Sequence, residues 1–465
     1  MTLLSQTRDL LDQAVAATGD RRLADARTRL DLPLRVAIAG KLKAGKSTLL
    51  NALIGEELAP TDAGECTRIV TWYADGPSYA VLSYLTNGVA EARPFTRRDG
   101  AVRIDLGRPA EQVDRLEVRV PSARLRRHTL IDTPGIESLS TDVSARTYDF
   151  LDGGGRADAV IYLLRHLHAG DVRFLEAFHG GGEGGTPVNA IGVLSRADEI
   201  GGCRLDAMTA AARVADRYSA DERMRRLCPV VVPVAGLLGA AGATLREGEY
   251  RTLAQVAALP MDDIVEVLLT ADRFAAGGEE RRRLLGRVGL FGVRLGTRLI
   301  REGTVTDAAG LAAALTEQSG IARLREVFAT HLEGRAEVLK ARSALATLDE
   351  CLPPGSPLAA GAERIRAGAH EFVELRLLHE LRAGRLPVTD DRRAEMDRLL
   401  GGSGGSAQAR LGLADPAEVV AAALDTMARW QRLAEHPLSN RDVKAAARAV
   451  IRTCEGIVAT QNQQA

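Results

Sequence analysis

Leu34-Arg35-Val36-Ala37-Ile38-Ala39-Gly40-Lys41-Leu42-Lys43-Ala44-Gly45-Lys46-Ser47-Thr48-Leu49-Leu50-Asn51-Ala52-Leu53-Ile54-Gly55 is the stretch whose reading decides the rest. A short apolar run ends at Gly40, helical spacing resumes at Ser47, and Gly55 stands where a helix would stop. The order predicts strand, glycine loop, helix. Such a loop brings several backbone N–H groups to one anion at a helix N-terminus, and a lysine then neutralises the outer phosphates. Gly40, Gly45, Lys46 and Ser47 have that spacing, so Gly40, Ala44, Gly45, Lys46, Ser47 and Thr48 are assigned to a nucleotide. Ser47 is expected to offer its hydroxyl to Mg²⁺.

Two later segments extend the site. Leu130-Ile131-Asp132-Thr133-Pro134-Gly135 puts a carboxylate at a strand end, where Asp132 can hold Mg²⁺ through water and the Gly135 N–H can bond a γ-phosphate. Leu194-Ser195-Arg196-Ala197-Asp198 addresses the base. A carboxylate at Asp198 accepts from the N1–H and N2–H₂ edge of guanine, which adenine lacks. Ser195 and Arg196 replace the usual Asn and Lys of this segment; Ser195 can bond locally and Arg196 can stack on the purine. In Ala235-Gly236-Leu237 a backbone N–H, assigned to Ala235, would meet the guanine carbonyl. Thr67, in Gly64-Glu65-Cys66-Thr67-Arg68, is the candidate Mg²⁺-coordinating threonine, with Thr61 and Thr71 as competitors. The catalytic set is therefore Lys46, Ser47, Thr67 and, with a solvated lysine as the alternative, Lys43.

Further apolar runs, around 129–131, 159–164, 188–194 and 230–234, are separated by helical stretches, which predicts a mainly parallel sheet covered on both faces. Alternation between Ile69 and Val120 predicts antiparallel strands added at its edge. From about Leu253 onward helical spacing prevails. Leu3, Leu10, Leu11, Leu23 and Leu30 form an amphipathic stripe that needs a partner. Asp415-Pro416-Ala417-Glu418 has the cap, proline and carboxylate that begin a helix.

Composition sets bounds. The 465 residues suggest two or three units, and 46% apolar with only 4% aromatic residues favours helices packed through Ala and Leu. Lys plus Arg and Asp plus Glu are 61 each, so no net field draws nucleic acid or anionic lipid from a distance. The five scattered cysteines fit a reducing compartment. The first 32 residues lack an apolar signal region. The uncharged run 228–245 holds Pro229 and Pro233 and reads as strand plus loop.

The phosphate loop, Cys66-Thr67, Asp132-Thr133-Pro134-Gly135 and Arg196-Ala197-Asp198 together resemble the bacterial dynamin-like GTPases. Leu284-Leu285-Gly286-Arg287-Val288-Gly289-Leu290-Phe291-Gly292-Val293-Arg294-Leu295, with Ser319-Gly320-Ile321, resembles the isoniazid-inducible members from mycobacteria and relatives. The resemblance implies an α/β P-loop GTPase head, residues 33–335 with a helical insert at about 246–310. It also implies a helical neck and trunk, residues 336–465, with residues 1–32 packed against that bundle. It implies GTP/GDP and Mg²⁺ as ligands, self-association through the heads, a paralogous chain as possible partner, and membrane remodelling at the inner face of the plasma membrane. Nucleic acid is not an expected partner.

Two features bear on that expectation. Leu42 and Lys43 stand in the phosphate loop where eukaryotic dynamins have Gln and Ser, and Ile136 follows Gly135 where small GTPases position water with Gln. Slow hydrolysis, completed by a second head, is expected; Lys43 could supply charge to the β–γ bridge. No long hydrophobic paddle is visible. The lipid-contact candidates are 353–360 and 401–413, with Leu411 and Leu413 beside Arg410; ordinary loops are the alternative. Rival readings are a ribosome-assembly GTPase and a GTP-regulated scaffold with little turnover.

Overall fold

The structure is a computed structural model that describes residues 2–59, 69–98, 101–134, 157–178, 189–228, 230–382 and 384–464. Its strands are β1 (Leu34–Gly40), β2 (Val70–Asp75), β3 (Ala80–Leu85), β4 (Ala90–Ala92), β5 (Phe95–Arg98), β6 (Ala101–Ile104), β7 (Val113–Val120), β8 (His128–Asp132), β9 (Ala159–Leu164), β10 (Ala190–Ser195) and β11 (Val231–Val234). Nine form one sheet in the order β11-β10-β9-β1-β8-β2-β7-β3-β4, and β5 and β6 form a separate ribbon. The five strands from β11 to β8 run parallel. All seven residues of β1 are buried, as a central parallel strand requires.

The expected antiparallel edge is only partly present. β2 joins β8 antiparallel, but β7 lies between β2 and β3 and pairs with β2 in parallel. Alternation reveals which face of a strand is buried, not which neighbour it takes.

The helices are α1 (Leu3–Thr18), α2 (Arg21–Arg29), α3 (Lys46–Ile54), α4 (Ala169–Phe178), α5 (Ala207–Ala220), α6 (Glu222–Leu227), α7 (Gly236–Thr244), α8 (Glu247–Ala257), α9 (Met261–Val267), α10 (Ala271–Ala275), α11 (Glu279–Arg301) and α12 (Ala308–Gln318). Then come α13 (Ile321–His331), α14 (Ala336–Cys351), α15 (Pro357–Gly368), α16 (His370–Arg382), α17 (Asp390–Leu399), α18 (Ala407–Leu411), α19 (Val419–Glu435) and α20 (Arg441–Gln464). Val36 and Ile38 face one side of the sheet, packing with Leu49, Leu50 and Leu324 of α3 and α13. Ala37 and Ala39 face the other, packing with Phe174 of α4 and Ala211 of α5. The stripe of α1 and α2 is covered by Ala344, Leu345 and Leu348 of α14 and Ala362 of α15. Helices α7, α8, α10, α11 and α12 share a core around Phe274 and Phe291.

The region 401–413 corrects an expectation. Leu411 is buried and Leu413 packs on the same core, while Arg410 sends Nη1 and Nη2 to the two oxygens of the buried Glu374 at 2.5 and 3.0 Å. Thr453 of α20 donates to the same carboxylate at 2.6 Å. The segment is therefore a tie between α16, α18 and α20 and presents no lipid-facing leucines. In 353–360, Ser356 caps α15 and Leu358 packs toward α1 and α2. Among the described residues, no helix is long and apolar enough to cross a membrane. Asp415 caps a short turn, Pro416–Glu418, that leads directly into α19.

Candidate nucleotide site

The loop between β1 and α3 is shaped by close approach and by lysine. A Cβ on Gly40 would lie 2.7 Å from the carbonyl oxygen of Leu163, so only glycine lets the loop leave β1 against β9. Lys46 folds back beneath the loop and donates from Nζ to the carbonyls of Gly40 and Lys41, both at 3.1 Å. Burial depresses its pKa, opposed by the charge of Asp132. Ala44 is buried in the loop, and its N–H donates to the Lys41 carbonyl at 3.1 Å. Leu42 and Lys43 point outward, both exposed, with Lys43 in the left-handed region at φ 61°. Lys46 is therefore turned into the loop while Lys43 lies at its rim.

Ser47 and Asp132 come together from α3 and β8. Ser47 Oγ donates to Asp132 Oδ2 at 2.8 Å, and Asp132 Oδ1 is buried with no hydrogen-bond partner among the described residues. Burial pushes the Asp132 carboxyl up to about 6, against the pull of Lys46 and the Ser47 hydroxyl. A hydroxyl and an unsatisfied carboxylate oxygen side by side are hard donors that fit Mg²⁺ with water and phosphate completing its shell. Thr133 fastens the end of β8 to β1, its Oγ1 donating to the Ile38 carbonyl at 2.9 Å. Thr67, Thr61 and Gly135 lie outside the described residues. Thr71 is buried on β2 opposite Asp132, with its hydroxyl on the Ile69 carbonyl at 3.2 Å.

Beside the phosphate loop is a slot of about 160 Å³ lined by Leu49, Leu163, Val193 and Val234 together with Thr48, Ser195, Arg196 and Asp198. Asp198 is only 6% exposed. Burial, with Glu199 adding to it, pushes its carboxyl up to about 6, and Arg196 and Arg165 oppose the shift. A carboxylate so placed favours a ligand edge that supplies two N–H donors. Ser195 is buried and donates to the Leu164 carbonyl at 3.3 Å.

The Arg196 guanidinium donates to the Lys43 carbonyl at 3.1 Å and to Glu199 at 3.0 Å, which ties the Asp198 loop to the phosphate loop, and it also lines the slot. One role differs from the sequence reading. The Ala235 N–H is engaged by the Ser319 carbonyl at 2.9 Å and cannot also serve a base. The first amides of α7, at Gly236 and Leu237, line the slot and lack intrahelical acceptors.

Gly289 escaped the sequence reading. It breaks α11 with φ 69° and ψ 172°, and a Cβ there would lie 3.6 Å from Asp198 Oδ2 and 3.8 Å from Leu237. The backbone of α11 thereby backs the base slot. The signal was present in Gly286, Gly289, Gly292 and Gly296, since glycine inside a helical pattern marks a break or a close approach.

Comparison with known proteins gives the family. The Dynamin family profile matches residues 36–170. The isoniazid-induced protein IniC of Mycobacterium tuberculosis is 43% identical over 453 residues, covering 93% of this chain and 91% of its own length. The isoniazid-induced protein IniA of the same organism is 34% identical over 169 residues, 33% of this chain and 26% of its own. The bacterial dynamin-like protein of Nostoc punctiforme is 30% identical over 162 residues, 31% of this chain and 22% of its own. A solved structure described as an oligomerised bacterial dynamin pair aligns over 98% of this chain and 79% of its own, at 14% identity and a TM-score of 0.35. With IniC matched almost end to end, the chain belongs to the dynamin-like GTPases, in the family of the mycobacterial isoniazid-induced protein IniC.

Proposed function

We propose that this GTPase binds GTP with Mg²⁺, turns over slowly as a single head, and is completed by self-association or by a paralogous chain at an anionic membrane surface. In this reading Lys46 neutralises the outer phosphates, the loop amides and Thr48 cradle them, and Ser47 and Asp132 hold the cation, with Thr67 and Gly135 answering the γ-phosphate. The cation, when bound, would draw charge from the β- and γ-oxygens. Asp198 selects guanine, and Arg196 keeps the base loop in register with the phosphate loop.

The observation that carries the reading is inside the phosphate loop. Lys46 is turned inward onto two carbonyls, whereas Leu42 is 53% exposed and Lys43 stands beside it at the open rim. A leucine there neither orients water nor polarises an oxygen, and Lys43 reaches a transition state only when something covers the rim. Covering by a second head supplies the missing desolvation and charge. Residues 33–335 are then the head, and residues 1–32 with 336–465 the neck and trunk, a division supported by the packing of α1 and α2 on α14 and α15. The chain works in the cytoplasm, peripherally at the membrane.

GTP hydrolysis measured with and without anionic liposomes, beside Lys46→Ala, tests the membrane part of the proposal. Stimulation and co-sedimentation of the wild type are expected. An unchanged rate with the chain left in the supernatant would remove the membrane role from this chain.

A further inference from the structure

Away from the nucleotide slot, a basic cleft opens where the far ends of the phosphate-site elements meet. It is lined by Leu53 at the end of α3, by Arg124, Arg126 and Arg127 of the turn before β8, and by Arg325 and Phe328 of α13, and has a volume of about 500 Å³. Through Arg126, Arg127, Ala329 and Glu333 it is continuous with a second chamber of about 510 Å³. Leu53, Leu130 and Phe328 give it an apolar floor.

The four arginines outnumber the acids that face them, Asp75 and Glu333. Arg124 donates to the Ile54 carbonyl at 2.8 Å and Arg325 to the Ala52 carbonyl at 2.6 Å, so both rest on the partial negative end of α3. The Arg325 Nε is buried with no acceptor among the described residues. Arg126 is 71% exposed and pairs with Asp75 at 3.7 Å, and the charge of Arg127 acts on Glu333 across the cleft. Of the acids that line the two chambers, Glu333 is held by His128 Nδ1 at 2.7 Å, and Asp31 by Arg8 and Arg27. Burial and the neighbouring Arg124 depress the Arg325 pKa, as crowding of like charge should. Arginine forks over an apolar floor suit a phosphate oxygen triad attached to a short hydrocarbon portion.

We propose that this cleft is a second ligand site, taking a phosphate-bearing anion on Arg124, Arg126, Arg127 and Arg325 with its apolar part on Leu53, Leu130 and Phe328. A phospholipid head group and a soluble organic phosphate share that chemistry. The occupant touches α3 and β8 at the ends opposite Lys46 and Asp132, so it lies outside the nucleotide site but on the same two elements.

Protein saturated with GDP, so that the phosphate loop is filled, is titrated calorimetrically with monomeric octyl phosphate, and separately sedimented with phosphatidylglycerol or phosphatidylcholine vesicles. The probe variant is Arg126→Gln/Arg127→Gln, two exposed positions whose loss does not open the core. Octyl phosphate is expected to bind the wild type and to bind the variant at least about 10-fold more weakly, with GDP affinity unchanged. If phosphatidylglycerol sedimentation is lost in parallel, the natural source is a lipid; if vesicles never bind while octyl phosphate does, it is a soluble phosphate. Absence of octyl phosphate binding to the GDP-loaded wild type, or equal binding by wild type and variant, overturns the proposal.

Discussion

A lysine and a carboxylate lie together beneath the loop between β1 and α3, and burial acts on them in opposite senses: it depresses Lys46 and pushes Asp132 up to about 6. Each charge eases the other, and phosphate with its cation relieves both. Lys46→Ala removes a charge-assisted donor from the phosphate position, and GTP affinity measured by calorimetry should fall by roughly 100-fold or more. At the base, Asp198→Asn turns an acceptor-only group into one that also donates. Guanine should lose roughly 100-fold or more in affinity, while xanthine, which carries a carbonyl in place of the 2-amino group, should gain relative to it. Competition between GTP and XTP for the variant checks this; unchanged GTP preference would remove Asp198 from base recognition. Gly289→Ala puts a side chain on backbone at φ 69° and ψ 172°, a region held almost only by glycine, and should cost about 1–3 kcal/mol in thermal or chemical unfolding. The strand, glycine loop and helix that carry Gly40, Gly45 and Lys46 were legible because the apolar run, the glycines and the helical spacing follow one another without interruption. Gly289 was passed over although the glycines of α11 signalled a break, because hydrophobic periodicity continues through the helix across it. The Ala235 assignment could not be checked in sequence, since only the fold shows that Ser319 has taken its N–H.

Among the elements, the Glu374 tie binds α16, α18 and α20. Burial alone would raise the Glu374 carboxyl, but His370, Arg410 and Thr453 outweigh it and hold it down to about 2. Glu374→Gln leaves the Arg410 guanidinium without its partner charge, and about 3–5 kcal/mol should be lost in urea unfolding. His331, ending α13, is the opposite case: burial, with Arg335 and Arg382 nearby, lowers it to about 4 from an ordinary 6.5. Between those values the unfolded chain binds the proton and the folded one does not. Stability from this residue is therefore full above pH 6.5 and falls by roughly 3 kcal/mol as pH drops to 4. Unfolding midpoints of wild type and His331→Gln across that window should converge toward acid pH. The parallel strands were readable from their apolar runs, whereas the β2–β7 pairing was not, because alternation carries no partner identity. The Gly/Ser stretch before Leu411 read as a loose loop, and only the three-dimensional position of Glu374 shows it folded inward.

For the whole molecule, the amphipathic stripe of α1 and α2 announced that a partner exists, and the fold supplies α14 and α15, more than three hundred residues away in sequence. Which helices meet over such a separation depends on topology, not on local pattern. The central claim is that one head holds GTP but does not complete its own catalytic site. Turnover per head, measured over a wide range of protein concentration with Lys46→Ala as the baseline, tests it most directly. The rate should rise with concentration toward a plateau as heads associate; a rate that is flat and negligible throughout would contradict the claim.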